Sequence, residues 1–171
     1  MPRIVLPTLA LLVTLVVSAS PSGAAEPPYA LLGKEAPDFA LRSSAGINLR
    51  LSESRGDVVM VSFWSSRCGV CINQFAALQT LQATYGSAGL VTLGVDVDDN
   101  QAAARDFLAA LPNSFPLLMD PAKAVARLYR VDSLPLLLLI DRSGAVRHVH
   151  RDYRTGDEAG YLAQLKTLLD E

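Results

Sequence analysis

Cysteine and histidine are scarce in this sequence, with two residues of each among 171. Four such ligands cannot fill several metal sites, which excludes a protein organised around many metals. Clusters of Lys and Arg are also missing and the formal net charge is −2, which argues against binding to nucleic acids or acidic membranes. The chain does have 50% hydrophobic and only 19% charged residues, so it is neither disordered nor fibrous and can bury the core of one domain.

We interpret residues 1–25 as a secretory signal peptide. Arg3 is followed by an apolar run over residues 4–17 and then by Ser22-Gly23-Ala24-Ala25, which are the three parts of such a leader. The run has 14 residues, whereas a membrane-spanning helix needs about 20. Cleavage near Ala24 or Ala25 is therefore expected, with permanent anchoring as the weaker alternative. The leader has no Cys for lipid attachment, and export predicts an oxidising compartment, the periplasm.

Beyond the leader, the chain alternates strand and helix patterns. An extended arm over residues 26–32 leads into a domain over residues 33–171, whose run 58–63 is apolar on both faces and predicts the central strand. Further strands are expected at 39–42, 47–51, 90–95, 115–119, 136–140 and 145–151, and helices from about Cys68 to Gly86, after Asp99 or Asn100, after Asp120, and after Thr155, where Glu158 completes a capping box. This order predicts an α/β fold, a central sheet with helices on both faces.

Both cysteines lie in Cys68-Gly69-Val70-Cys71, where the central strand gives way to a helix. A helix N-terminus favours a thiolate at Cys68, and Arg67 adds a cation beside it. Two sulfurs three residues apart can close a disulfide or open to attack another one. A purely structural disulfide is the alternative, but so short a loop would contribute little stability. The motif therefore predicts redox activity.

The segment from Phe63 to Cys71, placed after an apolar strand, resembles the active-site segment of the thioredoxin superfamily. Segments 33–39, 94–96, 115–117 and 120–121, and the pair Leu134-Pro135 followed by 140–144, are similar to the exported TlpA/ResA/DsbE-like branch. The resemblance covers about residues 33–169. It implies a thioredoxin-like fold with a central mixed β-sheet, an N-terminal β-hairpin extension and a strand-helix insertion at about 97–121.

The resemblance also implies roles for individual residues. Cys68 would be the attacking thiolate, Cys71 the resolving thiol, and Pro135 a cis-proline that lines the substrate groove together with Leu134. An X-Pro bond before a buried strand can be cis at modest cost, and it removes a donor where a substrate backbone must approach. An ordinary trans proline at a strand entry is the alternative for Pro135.

The sequence departs from the pattern of this branch at three positions. Arg67 replaces the usual Trp before the first Cys, Ser62 stands where thioredoxin buries an Asp, and Leu136 replaces an acidic residue that cytochrome c maturation reductases often carry. Proton transfer at Cys71 would then depend on water or on another group. Cytochrome maturation is only one candidate role.

Other residue clusters have competing explanations. His148 and His150 share a strand face and could bind copper with the cysteines, but metallochaperones place three residues between their Cys. A peroxidase would need Pro and Thr where Val61 and Ser65 stand. Trp64 suits either the core or a substrate contact. The acidic residues Asp96, Asp98 and Asp99 suit strand ends and helix capping better than a cation site.

We therefore predict a periplasmic thiol-disulfide oxidoreductase without cofactor or metal, which reduces disulfides of selected exported proteins. Its partners would be those substrates and an upstream membrane thiol-disulfide reductant. A copper-binding metallochaperone and a redox-inert binding module with the same fold are the alternatives.

Overall fold

The computed structural model describes residues 29–109 and 114–171. The predicted signal peptide, residues 26–28 of the predicted arm and part of the predicted insertion lie outside these ranges. Residues 29–32, which we expected to be extended, enter a turn in which the N–H of Leu32 donates to the carbonyl of Tyr29 (2.9 Å). The Tyr29 hydroxyl also donates to the Tyr129 carbonyl, so this part of the arm is fixed to the domain.

Seven strands of the described residues form one mixed sheet in the order β2-β1-β5-β4-β3-β6-β7. The strands are β1 (Ala40–Ser43), β2 (Asn48–Arg50), β3 (Val58–Trp64), β4 (Leu90–Asp96), β5 (Leu117–Met119), β6 (Leu136–Ile140) and β7 (Val146–Arg151). Strand β3 pairs parallel with β4 and antiparallel with β6. The N-terminal hairpin, the central strand and the closing antiparallel pair agree with the apolar runs of the sequence.

Four α-helices cover the two faces of the sheet: α1 (Cys71–Tyr85), α2 (Gln101–Ala109), α3 (Ala124–Leu128) and α4 (Glu158–Leu169). Side chains alternate along β3, so Val58 and Met60 join the core beneath α1, α2 and α4, while Val59 and Val61 join the core on the α3 side. This alternation explains why β3 is buried along its whole length. No helix among the described residues is long and apolar enough to cross a membrane.

Two predicted helix starts were wrong. Helix α1 begins at Cys71, three residues after Cys68, because residues between Ser65 and Val70 form turns instead. Thr155 does not cap α4: the residue preceding that helix is Asp157, whose carboxylate accepts the N–H of Arg154 (2.8 Å). Asp157 is the cap residue by position only, since its side chain makes no capping hydrogen bond to the helix.

The insertion runs in the order helix then strand, with α2 followed by β5. Strand β5 lies between β1 and β4 and is therefore an internal strand of the sheet. Gly94 of β4 permits this close packing, since a Cβ at that position would lie 2.6 Å from Leu117 Cδ2 and 3.3 Å from Phe115 Cε2. The insertion is thus built into the core of the domain.

Candidate active site

The two cysteines are joined in a disulfide in the turns between β3 and α1, with their Cα atoms 5.4 Å apart. The Cys68 N–H donates to the Ser65 carbonyl (3.0 Å), and the Cys71 N–H donates to the Cys68 carbonyl (3.1 Å). Cys68 is half-buried, whereas Cys71 is only 1% exposed. The Cys68 sulfur, and not that of Cys71, is consequently the one that the disulfide of another protein could reach.

A cavity of about 640 Å³ opens beside Cys68. Cys68, Arg67 and Leu134 line it, and Cys71 does not. The Leu134–Pro135 peptide bond is cis. Pro135 itself is buried, and its carbonyl accepts the N–H of Asp152 (3.2 Å). The fold thus brings Leu134 to the same cavity as Cys68, although the two residues are 66 positions apart in the sequence.

A buried carboxylate holds the loop that leads into Cys68. Asp98, two residues beyond β4, accepts the Ser65 hydroxyl (2.6 Å) and the Ser66 N–H (2.7 Å). Ser65 Oγ in turn accepts the N–H of Arg67 (3.2 Å). Burial alone would raise the pKa of Asp98, but the hydrogen bonds from Ser65 and Ser66 outweigh it and lower that pKa. Asp98 therefore remains charged beneath the loop.

A neutral hydrogen-bonded network lies on the side of α1 that faces the core. The Ser62 hydroxyl donates to Gln74 Oε1 (2.8 Å), and Gln74 Nε2 donates to the Tyr161 hydroxyl (3.2 Å). All three residues are at most 1% exposed. Burial raises the pKa of Tyr161 to about 12, so the network carries no charge near neutral pH. Sequence reasoning missed Gln74, although its position one helical turn after Cys71 was a usable signal.

The comparisons with known proteins agree with this geometry. The AhpC/TSA family model matches residues 32–149. The chain belongs to the AhpC/TSA family. Thiol-disulfide oxidoreductase ResA of Geobacillus kaustophilus is 31% identical over 118 residues, which cover 69% of this chain and 68% of the relative. ResA of Bacillus cereus is 29% identical over 135 residues, 78% of each chain.

This AhpC/TSA family member is also similar to a solved structure of a thiol:disulfide interchange protein. The crystal structure of a thiol:disulfide interchange protein DsbE from Chlorobium tepidum superposes with a TM-score of 0.78 and 36% identity, covering 81% of this chain and 97% of that one. With the Cys68–Cys71 pair at the junction of β3 and α1, the protein is a thiol-disulfide oxidoreductase with a thioredoxin-like fold.

This oxidoreductase buries a second carboxyl near the active-site loop. Asp96 ends β4, is 1% exposed, and accepts the N–H of Asp98 (3.0 Å). Burial raises the pKa of Asp96 to about 7, and the carboxylates of Asp98 and Asp120 add to that increase. Asp120 accepts the N–H groups of Ala124 and Ala126 at the start of α3. Asp96 and Asp120 thus accept hydrogen bonds from backbone N–H groups of the protein itself.

Several other predicted site residues lie away from the cavity. Trp64 is fully buried, and its ring packs on Phe75 and Phe107 at centroid distances of 5.2 and 5.1 Å. Its place is the core, and it has no exposed surface for a substrate. His150 lies against α4, where its Nε2 is 2.7 Å from Gln164 Oε1. Within residues 29–109 and 114–171, no three His, Cys, Asp or Glu residues are grouped to hold a metal ion.

Proposed function

We propose that this oxidoreductase is exported and reduces disulfides of selected exported proteins, with Cys68 as the attacking thiolate and Cys71 as the resolving thiol. The observation that carries the proposal is the unequal exposure of the pair, since Cys68 borders the cavity and Cys71 is 1% exposed. Arg67 beside Cys68 favours its thiolate form. Leu134, which lines the cavity, would border the bound substrate chain, whereas Pro135 is buried and lies outside the cavity lining.

The proposed reaction is a two-electron exchange. The Cys68 thiolate attacks one substrate sulfur and forms a mixed disulfide with it. The substrate's own disulfide bond breaks in the same step, and its other sulfur leaves as a thiolate. Cys71 then loses its proton and attacks the Cys68 sulfur, which releases the second substrate thiolate. The substrate gains two electrons and the enzyme ends with the Cys68–Cys71 disulfide. An upstream membrane thiol-disulfide reductant would return it to the dithiol.

The proposal includes the location of the protein. Residues 1–25 would be a cleaved signal peptide, and residues 33–171 would form the domain that acts in the periplasm. Cytochrome c maturation is one route in which such a reductase could serve, although Leu136 replaces the acidic residue expected for it. Determining the N-terminus of the exported protein tests the cleavage near Ala24 or Ala25.

Cysteine variants test the division of labour. Cys71→Ser should accumulate mixed disulfides with substrate proteins, because Cys68 attacks but nothing resolves the intermediate. Cys68→Ser should abolish disulfide reduction and trap nothing, and the double variant controls for non-specific capture. Non-reducing electrophoresis of the exported fraction measures the adducts. Adducts on Cys71 of the Cys68→Ser variant, with none on Cys68, would reverse the two roles.

A further inference from the structure

Three charged side chains line the cavity beside Cys68, and two of them are neutralised by partners. Lys123 Nζ lies 2.9 Å from a carboxylate oxygen of Asp99. Asp132 lies 3.2 Å from a guanidinium nitrogen of Arg151. Because each pair places opposite charges in contact, neither contributes a strong net field to the cavity.

Arg67 is the third charged residue and differs from the other two. Its side chain is exposed, and within the described ranges no hydrogen bond or ion pair of its guanidinium is found; only its backbone N–H is bonded, to Ser65 Oγ. The same cavity lining includes the apolar residues Val70, Val131 and Leu134. The cavity therefore carries one uncompensated positive charge, on the residue directly before Cys68.

We propose that Arg67 is a specificity-determining residue that favours disulfide substrates with a carboxylate side chain next to the reacting cysteine. This inference rests on the proposed function. The occupant of the cavity is an extended peptide segment whose apolar side chain contacts Val70 and Leu134 while a neighbouring Asp or Glu faces the guanidinium. Arginine suits this role because its planar fork matches a carboxylate.

The size of the effect follows from the exposure of the site. An exposed ion pair contributes modestly, so a matched carboxylate should raise kcat/KM about threefold over a neutral side chain. A substrate ammonium group at the same position should lower it by a similar factor. Both effects should shrink at high salt, because exposed charges are screened there.

The test uses three synthetic peptide disulfides that differ only in the residue beside the cysteine, which is Glu, Gln or Lys. Reduced wild-type protein should reduce them in the order Glu, Gln, Lys, with a Glu-to-Gln ratio of about three at low salt that approaches one in high salt. Arg67→Gln should bring the ratio to one, and Arg67→Lys should retain most of it. The ratio also cancels any change in Cys68 nucleophilicity, which acts equally on all three substrates.

Two controls separate the possible outcomes. Arg127→Gln removes the same charge from an exposed position of α3 outside the cavity lining and should leave the ratio unchanged. Bis(2-hydroxyethyl) disulfide, which is uncharged, measures disulfide reduction by itself. The inference about Arg67 is wrong, and the proposed reductase function is kept, if the uncharged disulfide is reduced but the wild-type Glu-to-Gln ratio is one. The same conclusion holds if Arg127→Gln lowers that ratio as much as Arg67→Gln does. If no disulfide is reduced at all, both proposals fail.

Discussion

Cys68 and Cys71 share one disulfide, yet their surroundings differ in exposure and in charge. Cys68 borders a cavity, follows Arg67, and sits on a loop held by the carboxylate of Asp98. Cys71 is buried on a helix whose inner side carries the uncharged Gln74. The ionisable groups of the site are therefore concentrated around the loop of the attacking cysteine.

This difference predicts how the site responds to pH. The network of Ser62, Gln74 and Tyr161 keeps the same charge across the neutral range, because burial raises the pKa of Tyr161 to about 12. On the loop side, burial raises the pKa of Asp96 to about 7. Changes in pH near neutrality should consequently act through the Asp96 carboxyl near the loop, and not through the network behind Cys71.

The largest expected effect comes from disrupting the neutral network. Gln74→Leu leaves the buried hydroxyls of Ser62 and Tyr161 without their partner, and each such loss costs about 1 to 3 kcal/mol. The free energy of unfolding in urea should therefore fall by about 2 kcal/mol or more. Asn73→Ala, at an exposed position of the same helix, is the control and should change it by less than about 0.5 kcal/mol. Equal losses in the two variants would show that the network is energetically unimportant.

Removing the carboxylate under the loop should have the next largest effect. Asp98→Ala leaves the Ser65 hydroxyl and the Ser66 N–H unpaired, and we expect about 1 to 3 kcal/mol lower stability in urea. Asp99→Ala is a matched neighbour, because among the residues that the structure describes Asp99 pairs with Lys123 alone, in an exposed ion pair. That control should lose at most about 1 kcal/mol. A loss for Asp99→Ala as large as for Asp98→Ala would remove the special role of the buried carboxylate.

The raised pKa of Asp96 makes a prediction with a definite sign. Native Asp96 keeps its proton up to a pH of about 7, whereas an unfolded Asp loses it near 3.8. The folded state therefore binds more protons between these values, and stability from this group falls as pH rises through the window. Between pH 5 and pH 6, the free energy of unfolding of the wild-type protein, measured in urea, should fall by about 1 kcal/mol more than that of Asp96→Asn. Parallel stability curves for the two proteins would contradict the assignment.

The smallest expected effect concerns the cation beside Cys68. Arg67→Gln should raise the pKa of Cys68 because an exposed positive charge next to the thiolate is removed, and such charges contribute less than about 1 kcal/mol. The ultraviolet absorbance of the thiolate, followed in a pH titration of the Cys71→Ser protein, measures the change. Arg127→Gln again serves as the charge-matched control. An unchanged titration would assign the activation of Cys68 to backbone dipoles alone.

The sequence predicted those parts of the molecule that depend on neighbouring residues. Apolar runs located the strands, and the Cys-x-x-Cys motif and Leu134 pointed to the cavity that Cys68 and Leu134 line, whereas Pro135 is buried and lies outside that lining. The start of α1 could not be predicted, because the loop before it is held by Asp98, 32 and 33 residues further along the chain. The network behind Cys71 was also missed, since Gln74 and Tyr161 are 87 residues apart and meet only through tertiary packing.

The stacking of Phe107 on Trp64 has a consequence for cooperativity. Phe107 belongs to the insertion, Trp64 ends the strand that leads to Cys68, and Phe75 of α1 contacts both rings. Swinging the insertion outward as a hinged flap would require separating these rings and breaking the close contact at Gly94. The insertion and the redox helix should therefore melt in a single transition.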